Sequence, residues 1–137
     1  MPVTSIRVNF ADTDAMGVVY NANYLIWFEV GRTDLIRSWG MPYTEFARRG
    51  INVPVAEAGL RYLFPARYDD VVNVETTVAE LTPARIKFMY RIVRADDGKL
   101  LCEGFTMHGF INAQGRAIAI AKAAPDMYQA LLARFKA

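Results

Sequence analysis

The chain has 137 residues, of which 53% are hydrophobic and 22% charged, and this is ordinary for one globular domain of common size. A formal net charge of +2 without a block of Lys and Arg argues against a nucleic-acid partner, and no apolar stretch reaches the roughly 18 residues that a membrane helix needs. Because Cys102 is the one cysteine, no disulfide can form within the chain, so we expect a cytoplasmic protein whose residues 1–137 are a single domain.

A long amphipathic helix is the strongest local signal. It follows a predicted strand at residues 5–10 and a polar, turn-rich interruption at residues 12–17. Apolar residues recur at helical spacing at Tyr24, Trp27, Phe28, Gly31, Leu35 and Trp39. Gly40 and Pro42 end this pattern. A glycine inside such a face costs about 1 kcal/mol against alanine, so we expect Gly31 to lie close against a sheet.

The second half of the chain alternates with a period of two, which is typical of strands. A short helix at residues 43–49 precedes it, and a helix that begins at Pro125 follows it. Asp97-Gly98 is a hairpin signal between two of the runs. The period of two begins at residue 53. The bounded strand runs that follow are residues 71–80, 86–94, 100–111 and 116–120. The order predicts an α+β fold in which a curved antiparallel sheet wraps around the long helix.

The familiar nucleophile arrangements of hydrolases do not occur in this sequence. Ser5 and Ser38 are the two serines, and neither stands in a G-x-S-x-G setting. Cys102 and His108 share one predicted strand, where six residues separate them by about 20 Å, so they cannot form a hydrogen-bonded pair. A buried, unreactive Cys102 is the favoured interpretation.

Metal and nucleotide sites are equally poorly supported. His108 is the one histidine, which argues against a zinc site, and no phosphate-binding Gly-rich loop is present. Asp12 and Asp14 could hold a divalent cation through oxygen ligands, but no further carboxylates cluster beside them in the sequence. We therefore predict no cofactor.

Asp14 stands in the turn before the most apolar helix, and the residue pattern leaves two interpretations open. Aspartate favours turns and helix N-termini, so Asp14 could simply cap the helix, and this is the favoured interpretation for Asp12. Alternatively, a carboxylate beside the free N–H groups of a helix start could attack a carbonyl or activate water while those donors stabilise the oxyanion.

Residues 10–25 resemble the signature of the 4-hydroxybenzoyl-CoA thioesterase-like family, D-[TC]-D-x-x-G-x-V-[YW]-x-x-x-Y, and the agreement continues through Glu29 and Arg32. A second block, residues 62–70, is similar to the family's Y-x-x-P-A-x-x-D-D stretch. Together with the order of strands and turns, the resemblance covers nearly the whole chain.

The resemblance implies a hotdog fold, a homodimer with active sites between subunits, and further pairing into tetramers. It implies that Asp14 is the catalytic carboxylate, that the backbone N–H of Asn21 polarises the thioester carbonyl, and that Gly17 lets the loop approach the substrate. Asp12 would be structural. Many members carry His where this chain has Asn21, which leaves the acyl group open between aromatic and short- or medium-chain acids.

The implied substrate is an acyl-CoA, and two groups of residues are candidates for binding it. Tyr20 and Asn23 flank the helix start. Basic side chains bind the nucleotide end of CoA in this family, and ordinary solvated surface is the equally weighted alternative for the residues at the corresponding positions: Arg85, Lys87 and Arg116. A partner subunit would contribute a wall to the acyl pocket, with plain strand packing as the alternative, from Val53, Pro54, Val55 and Glu57.

Two other functions remain open on sequence grounds. A thioesterase acting on acyl carrier protein would use the same chemistry, with basic residues meeting an acidic protein surface. A non-catalytic dimer that binds acyl-CoA would keep the fold without turnover, because fold does not determine function. A hydratase is less favoured because His108 lies far from Asp14 in the chain.

Overall fold

The computed structural model describes residues 2–136 and arranges them as one five-stranded sheet with helices. The strands are β1 (Val3–Arg7), β2 (Val55–Tyr62), β3 (Val71–Thr82), β4 (Arg85–Arg94) and β5 (Leu100–Gly109). The helices are α1 (Asn23–Ser38), α2 (Tyr43–Arg48), α3 (Ile120–Ala123) and α4 (Pro125–Lys136). All strand pairs are antiparallel, so the predicted α+β class is confirmed.

The sheet has the order β1-β3-β4-β5-β2, which leaves β1 and β2 at its edges. Strands β3, β4 and β5 form the meander that the hairpin signals predict. Strand β2 joins on the far side and pairs with β5, with Tyr62 opposite Cys102. The connection that follows β2 therefore begins beside the start of β5, where the N–H groups of Leu63 and Phe64 donate to the carbonyl of Leu101.

Helix α1 packs across the sheet, and the face predicted from its period is the buried one. The ring of Phe28 stacks on Tyr90 of β4 with centroids 4.2 Å apart. Gly31 lies over β3, where a Cβ atom would come within 2.5 Å of Thr76 Oγ1 and 2.7 Å of Val74 Cγ1. The close approach expected from this glycine is confirmed. A long helix against an antiparallel sheet is also the arrangement that the family resemblance implies.

The first strand is shorter and begins earlier than the predicted residues 5–10. Strand β1 ends at Arg7, and Phe10–Asp12 form a short 3-10 turn in which the Phe10 side chain is exposed. Local hydrogen bonds explain the difference, because the hydroxyl of Thr13 donates to the carbonyl of Phe10 at 2.7 Å. The apolar residue at position 10 therefore does not extend the strand.

The prediction of a strand run at residues 116–120 is wrong. Ala117 forms only an isolated bridge with Ile111, and α3 begins at Ile120. The N–H of Ile120 donates to the carbonyl of Pro83 at 2.7 Å, so this N–H bonds to the turn between β3 and β4 and not to a neighbouring strand. The predicted C-terminal helix from Pro125 is confirmed as α4. No helix within residues 2–136 is long and apolar enough to cross a membrane.

Candidate active site

The loop that precedes α1 folds back on itself as a tight hairpin. The N–H of Asp14 donates to the carbonyl of Val18 at 2.9 Å, and the N–H of Gly17 donates to the carbonyl of Asp14 at 3.0 Å. Gly17 has a φ of +77°, in the left-handed region that residues with a Cβ seldom adopt. The glycine thus closes the turn that carries Asp14.

One oxygen of the Asp14 carboxylate is held by the loop. Oδ1 accepts a hydrogen bond from the N–H of Met16 at 2.9 Å, which fixes the partly buried side chain in the turn. Within residues 2–136, Oδ2 receives no hydrogen bond from the protein, and no Lys or Arg nitrogen forms an ion pair with this carboxylate. A carboxylate with one oxygen oriented and the other available can attack a carbonyl or take a proton from water.

Asp12 makes contacts that brace the loop. Its carboxylate accepts the N–H of Asn9 at 2.9 Å, and its carbonyl accepts both the N–H of Tyr20 at 2.8 Å and the side-chain amide of Asn23 at 2.8 Å. These bonds agree with the structural role expected for Asp12. Because Asn23 uses an amide N–H here, its contact with a substrate stays a prediction.

The start of α1 presents a free backbone donor. In the part of the chain that the structure describes, the N–H of Asn21 has no acceptor in the protein, whereas the carbonyl of Tyr20 accepts the N–H of Asn23 at 3.0 Å. The N-terminus of a helix carries a partial positive charge and unsatisfied N–H groups. Such a donor can stabilise the negative oxygen that forms when a carbonyl is attacked.

Asp14 and Asn21 line one cleft of about 360 Å³, called here the α1 cleft. Its remaining wall is apolar and aromatic: Met16, Val18, Val19, Tyr20, Tyr24, Tyr62, Leu63, Phe64 and Pro65. A larger depression of about 520 Å³ lies on the sheet around Met89 and Phe105, but it contains neither the carboxylate nor the helix donor. The smaller cleft is therefore the candidate active site.

The last residue of β2 and the segment after it supply a wall of the α1 cleft that sequence reasoning did not assign to the site. The hydroxyl of Tyr62 donates to the carbonyl of Asn21 at 2.9 Å, and its ring packs edge-on against Tyr24 with centroids 5.3 Å apart. The Tyr24 hydroxyl accepts the N–H of Ala66 at 3.0 Å, while burial raises the pKa of Tyr24. The Y-x-x-P-A motif at residues 62–66 was the signal that could have identified this wall.

The residues predicted as an acyl-pocket wall lie at the opposite end of β2. Val55 and Glu57 are among the first three residues of β2, and Val53 and Pro54 precede the strand. Seven residues at about 3.3 Å each separate Val55 from Tyr62, which is roughly 23 Å. None of these four residues lines the α1 cleft of its own chain.

The three predicted CoA-binding residues also lie away from the α1 cleft of their own chain. Arg85 pairs with Gly109 at the end of β5, and Arg116 follows the turn beyond that strand. The Nζ atom of Lys87 lies 4.8 Å from the ring centroid of Phe105. All three basic residues therefore lie at the end of the sheet at which β2 begins.

Cys102 and His108 are core residues. The Cys102 thiol is fully buried, and burial raises its pKa to about 12. Burial lowers the pKa of the His108 imidazole to about 4, and its ring nitrogens lie 2.7 Å from Thr106 Oγ1 and 3.2 Å from the carbonyl of Val53. Neither the neutral buried imidazole nor the protonated buried thiol lines the α1 cleft. Within residues 2–136, no three His, Cys, Asp or Glu side chains cluster as ligands of one metal ion.

Known proteins are similar to this chain in both sequence and fold. YneP of Bacillus subtilis, whose name makes it a candidate acyl-CoA thioesterase, is 33% identical over 126 residues, which are 91% of this chain and 91% of YneP. The acyl-CoA thioester hydrolase YbgC of Escherichia coli is 32% identical over 92 residues, covering 67% of this chain and 69% of YbgC. The crystal structure of DHNA-CoA thioesterase from Staphylococcus aureus superposes with a TM-score of 0.92 at 32% identity, covering 96% of this chain and 88% of that one.

The family assignment follows from a match that spans almost the whole chain. The model of the thioesterase-like superfamily matches residues 8–135, which include the loop of Asp14, helix α1 and all strands but β1. The resemblance noted from residues 10–25 and 62–70 is confirmed. This chain belongs to the thioesterase-like superfamily and has its hotdog arrangement of a long helix against an antiparallel sheet.

Proposed function

We infer that this protein is an acyl-CoA thioesterase, which hydrolyses an acyl-CoA to the free acid and CoA. The observation that carries the inference is the α1 cleft, where the available oxygen of Asp14 and the free N–H of Asn21 meet an apolar wall. YbgC is named as an acyl-CoA thioester hydrolase and the Staphylococcus aureus protein as a DHNA-CoA thioesterase, and these names support the same activity here.

We propose that Asp14 supplies the carboxylate of the reaction in one of two ways. As a general base, it takes a proton from water while the water oxygen bonds to the thioester carbonyl carbon. As a nucleophile, it forms an anhydride with the acyl group and expels the CoA thiolate, and water then cleaves the anhydride. Both routes consume one water molecule and release one acid and one thiol. Neither needs a metal or another cofactor.

The N–H of Asn21 is the proposed oxyanion donor. The thioester carbonyl would accept this hydrogen bond, which strengthens as negative charge develops on the carbonyl oxygen. The left-handed turn at Gly17 keeps the loop free of side-chain bulk beside Asp14, where a substrate approaches. Tyr20 lines the cleft and is half exposed, which suits a contact with the acyl or pantetheine portion.

A homodimer is part of the same proposal, and the edge strand β2 supports it. Six of its eight residues are exposed, including Val55 and Tyr62. Proteins seldom leave such an edge strand uncovered, because its unpaired backbone groups can bind another chain. Exposed apolar residues of α1, Leu25, Ile26 and Val30, add further surface suited to a partner. Pairing of β2 with a second copy would cover the edge. A tetramer built from two such dimers is the further expectation.

Dimerisation would also bring the remaining predicted residues to the site. When two copies of β2 pair antiparallel about a two-fold axis, the start of one strand lies beside the end of the other. Val53, Pro54, Val55 and Glu57 of one chain would then approach the α1 cleft of its partner. Arg85, Lys87 and Arg116 lie at that same end of the sheet, so they could reach the phosphates of a bound CoA.

A panel of acyl-CoAs followed by free-thiol release tests the proposal. Aromatic, short-chain and medium-chain thioesters should include at least one that is hydrolysed, and the same acyl group on acyl carrier protein should be turned over more slowly. Binding of acyl-CoA without any turnover would favour a non-catalytic dimer instead. Faster turnover of the carrier-protein thioester would reassign the substrate.

The lone cysteine supports a cytoplasmic location for this reaction.

A further inference from the structure

We propose that Tyr62 is a positioning residue for the thioesterase reaction, acting through the backbone of Asn21. The proposal rests on the proposed function, because it concerns how the oxyanion donor is held. Its basis is one contact: the Tyr62 hydroxyl donates to the carbonyl of Asn21 at 2.9 Å, across 41 positions of sequence. Both residues line the α1 cleft.

Two peptide planes meet at the Cα atom of Asn21, and each is held through its carbonyl. The plane that carries the Asn21 N–H is held by the bond from the N–H of Asn23 to the Tyr20 carbonyl at 3.0 Å. The next plane is held by Tyr62 and by a long bond of 3.4 Å from the N–H of Tyr24. Without the Tyr62 hydroxyl, the long bond from Tyr24 is the one hydrogen bond that residues 2–136 still make to the Asn21 carbonyl.

The tyrosine itself is held on a rigid support. Tyr62 is the last residue of β2 and pairs with Cys102 in the sheet, and its ring packs against Tyr24 with an interplanar angle of 75°. Tyr24 is buried and is fixed in turn by the N–H of Ala66. The hydroxyl therefore reaches the helix start from a strand whose position the sheet determines, and not from a flexible loop.

Orientation of the donor should matter more to the chemical step than to substrate binding. An oxyanion donor contributes most when it is already aimed at the place where charge develops, and small displacements of reacting groups cost large factors in rate. The carbonyl of a ground-state thioester carries less charge, so its binding depends less on the same alignment. Removal of the Tyr62 hydroxyl should therefore lower kcat and leave KM nearly unchanged.

The test is Tyr62→Phe in the full-length protein, with Tyr68→Phe as the matched control. The Tyr68 ring packs on Phe10, and Tyr68 does not line the α1 cleft. Tyr62→Phe should lower kcat about tenfold for the acyl-CoA that the wild type hydrolyses best, with KM changed less than twofold. In ¹⁵N-labelled protein, the amide proton of Ala22 should move upfield, because its peptide carbonyl has lost a donor. Tyr68→Phe should change neither quantity.

Each result decides the proposal. An unchanged Ala22 amide signal, or an unchanged kcat despite the shift, would overturn it. A raised KM with kcat unchanged would instead make Tyr62 a substrate contact and would overturn it too. Failure of the proposed function looks different: the wild-type protein would release no thiol from any acyl-CoA, while the Ala22 shift in Tyr62→Phe would still appear.

Discussion

The hydroxyl of Thr76 occupies the position toward which a side chain on Gly31 would point. A Cβ atom built on Gly31 would lie 2.5 Å from Thr76 Oγ1, closer than real carbon and oxygen atoms pack. Thr76 is buried on β3, with 1% of its surface exposed, so neither partner can move aside easily. The absence of one methyl group thus sets how closely α1 lies against the sheet at this position.

Gly31→Ala should destabilise the protein. Alanine favours a helix over glycine by about 1 kcal/mol, but overpacking a core typically costs about 1–3 kcal/mol, and here β3 leaves no room. We expect a net loss in the free energy of unfolding, measured by urea titration. Gly109→Ala is the control, because a Cβ there would meet nothing within 4 Å. A more stable Gly31→Ala protein would contradict the close packing described here.

Asp14→Asn should abolish most of the hydrolysis and leave the fold and acyl-CoA binding intact. The amide keeps the size of the side chain but can neither attack a carbonyl nor accept a proton at neutral pH. The expected loss in kcat is about 10²–10⁴-fold or more. Asp12→Asn is the matched control and should cost stability, about 1 kcal/mol, more than rate. Near wild-type kcat in Asp14→Asn would refute the mechanism.

Single-turnover reaction in ¹⁸O-labelled water tests whether Asp14 acts as the nucleophile. If Asp14 attacks and water then cleaves the anhydride at the Asp14 carboxyl carbon, the first acid released is unlabelled, because its new oxygen comes from the protein. Cleavage at the acyl carbon would label the acid instead, so an unlabelled first acid identifies the nucleophilic route. Direct attack by water labels the acid in the first turnover. Mass spectrometry of the acid, with enzyme in excess over substrate, reads the outcome. The free Oδ2 atom is compatible with either route.

Arg85→Ala, Lys87→Ala and Arg116→Ala should raise KM for acyl-CoA more than they lower kcat. Contacts with phosphates far from the carbonyl stabilise the bound substrate and the transition state about equally. The increase in KM should shrink for a pantetheine thioester that lacks the nucleotide. If the truncated substrate shows the same increase, these three side chains do not bind the nucleotide end.

The protein should sediment as a dimer or larger at micromolar concentration. The exposed edge of β2 is the reason, since such an edge pairs readily with a second strand. Dilution far below the dissociation constant of the dimer should lower the specific activity, because the wall at residues 53–57 would be lost from each site. A monomer with full activity would contradict both the dimer and the shared site.

The free energy of unfolding should fall as the pH falls below neutrality, owing to His108. Burial lowers its folded pKa to about 4, whereas the unfolded side chain titrates near 6.5. Between these values the unfolded chain binds a proton that the folded protein does not, so stability is lost as the pH falls through this window. The loss between pH 7.5 and 5 should be about 2 kcal/mol. Urea titration at both pH values measures it, and His108→Gln should show a smaller loss.

Local order could be predicted from the sequence because its signals lie within one element. The apolar spacing from Tyr24 to Trp39 predicts α1 within a residue of its observed bounds, Asn23–Ser38. Period-two runs predict all of β5 and most of β3 and β4, and the motif around Asp14 identifies the loop that carries the carboxylate. These features depend on backbone geometry and on residues a few positions apart, so no knowledge of the rest of the chain is required.

The assembly of the cleft depends on tertiary structure, because its parts come from distant segments. Residue patterns do not show that β2 pairs with β5 at the far edge, yet this pairing brings Tyr62 to Asn21 and places Arg85 and Val55 at the other end of the sheet. The run at residues 116–120 has the alternation of a strand, but the N–H of Ile120 bonds to the carbonyl of Pro83 and not to a neighbouring strand. Periodicity tells which face of a segment is apolar, whereas strand order and register decide which side chains meet.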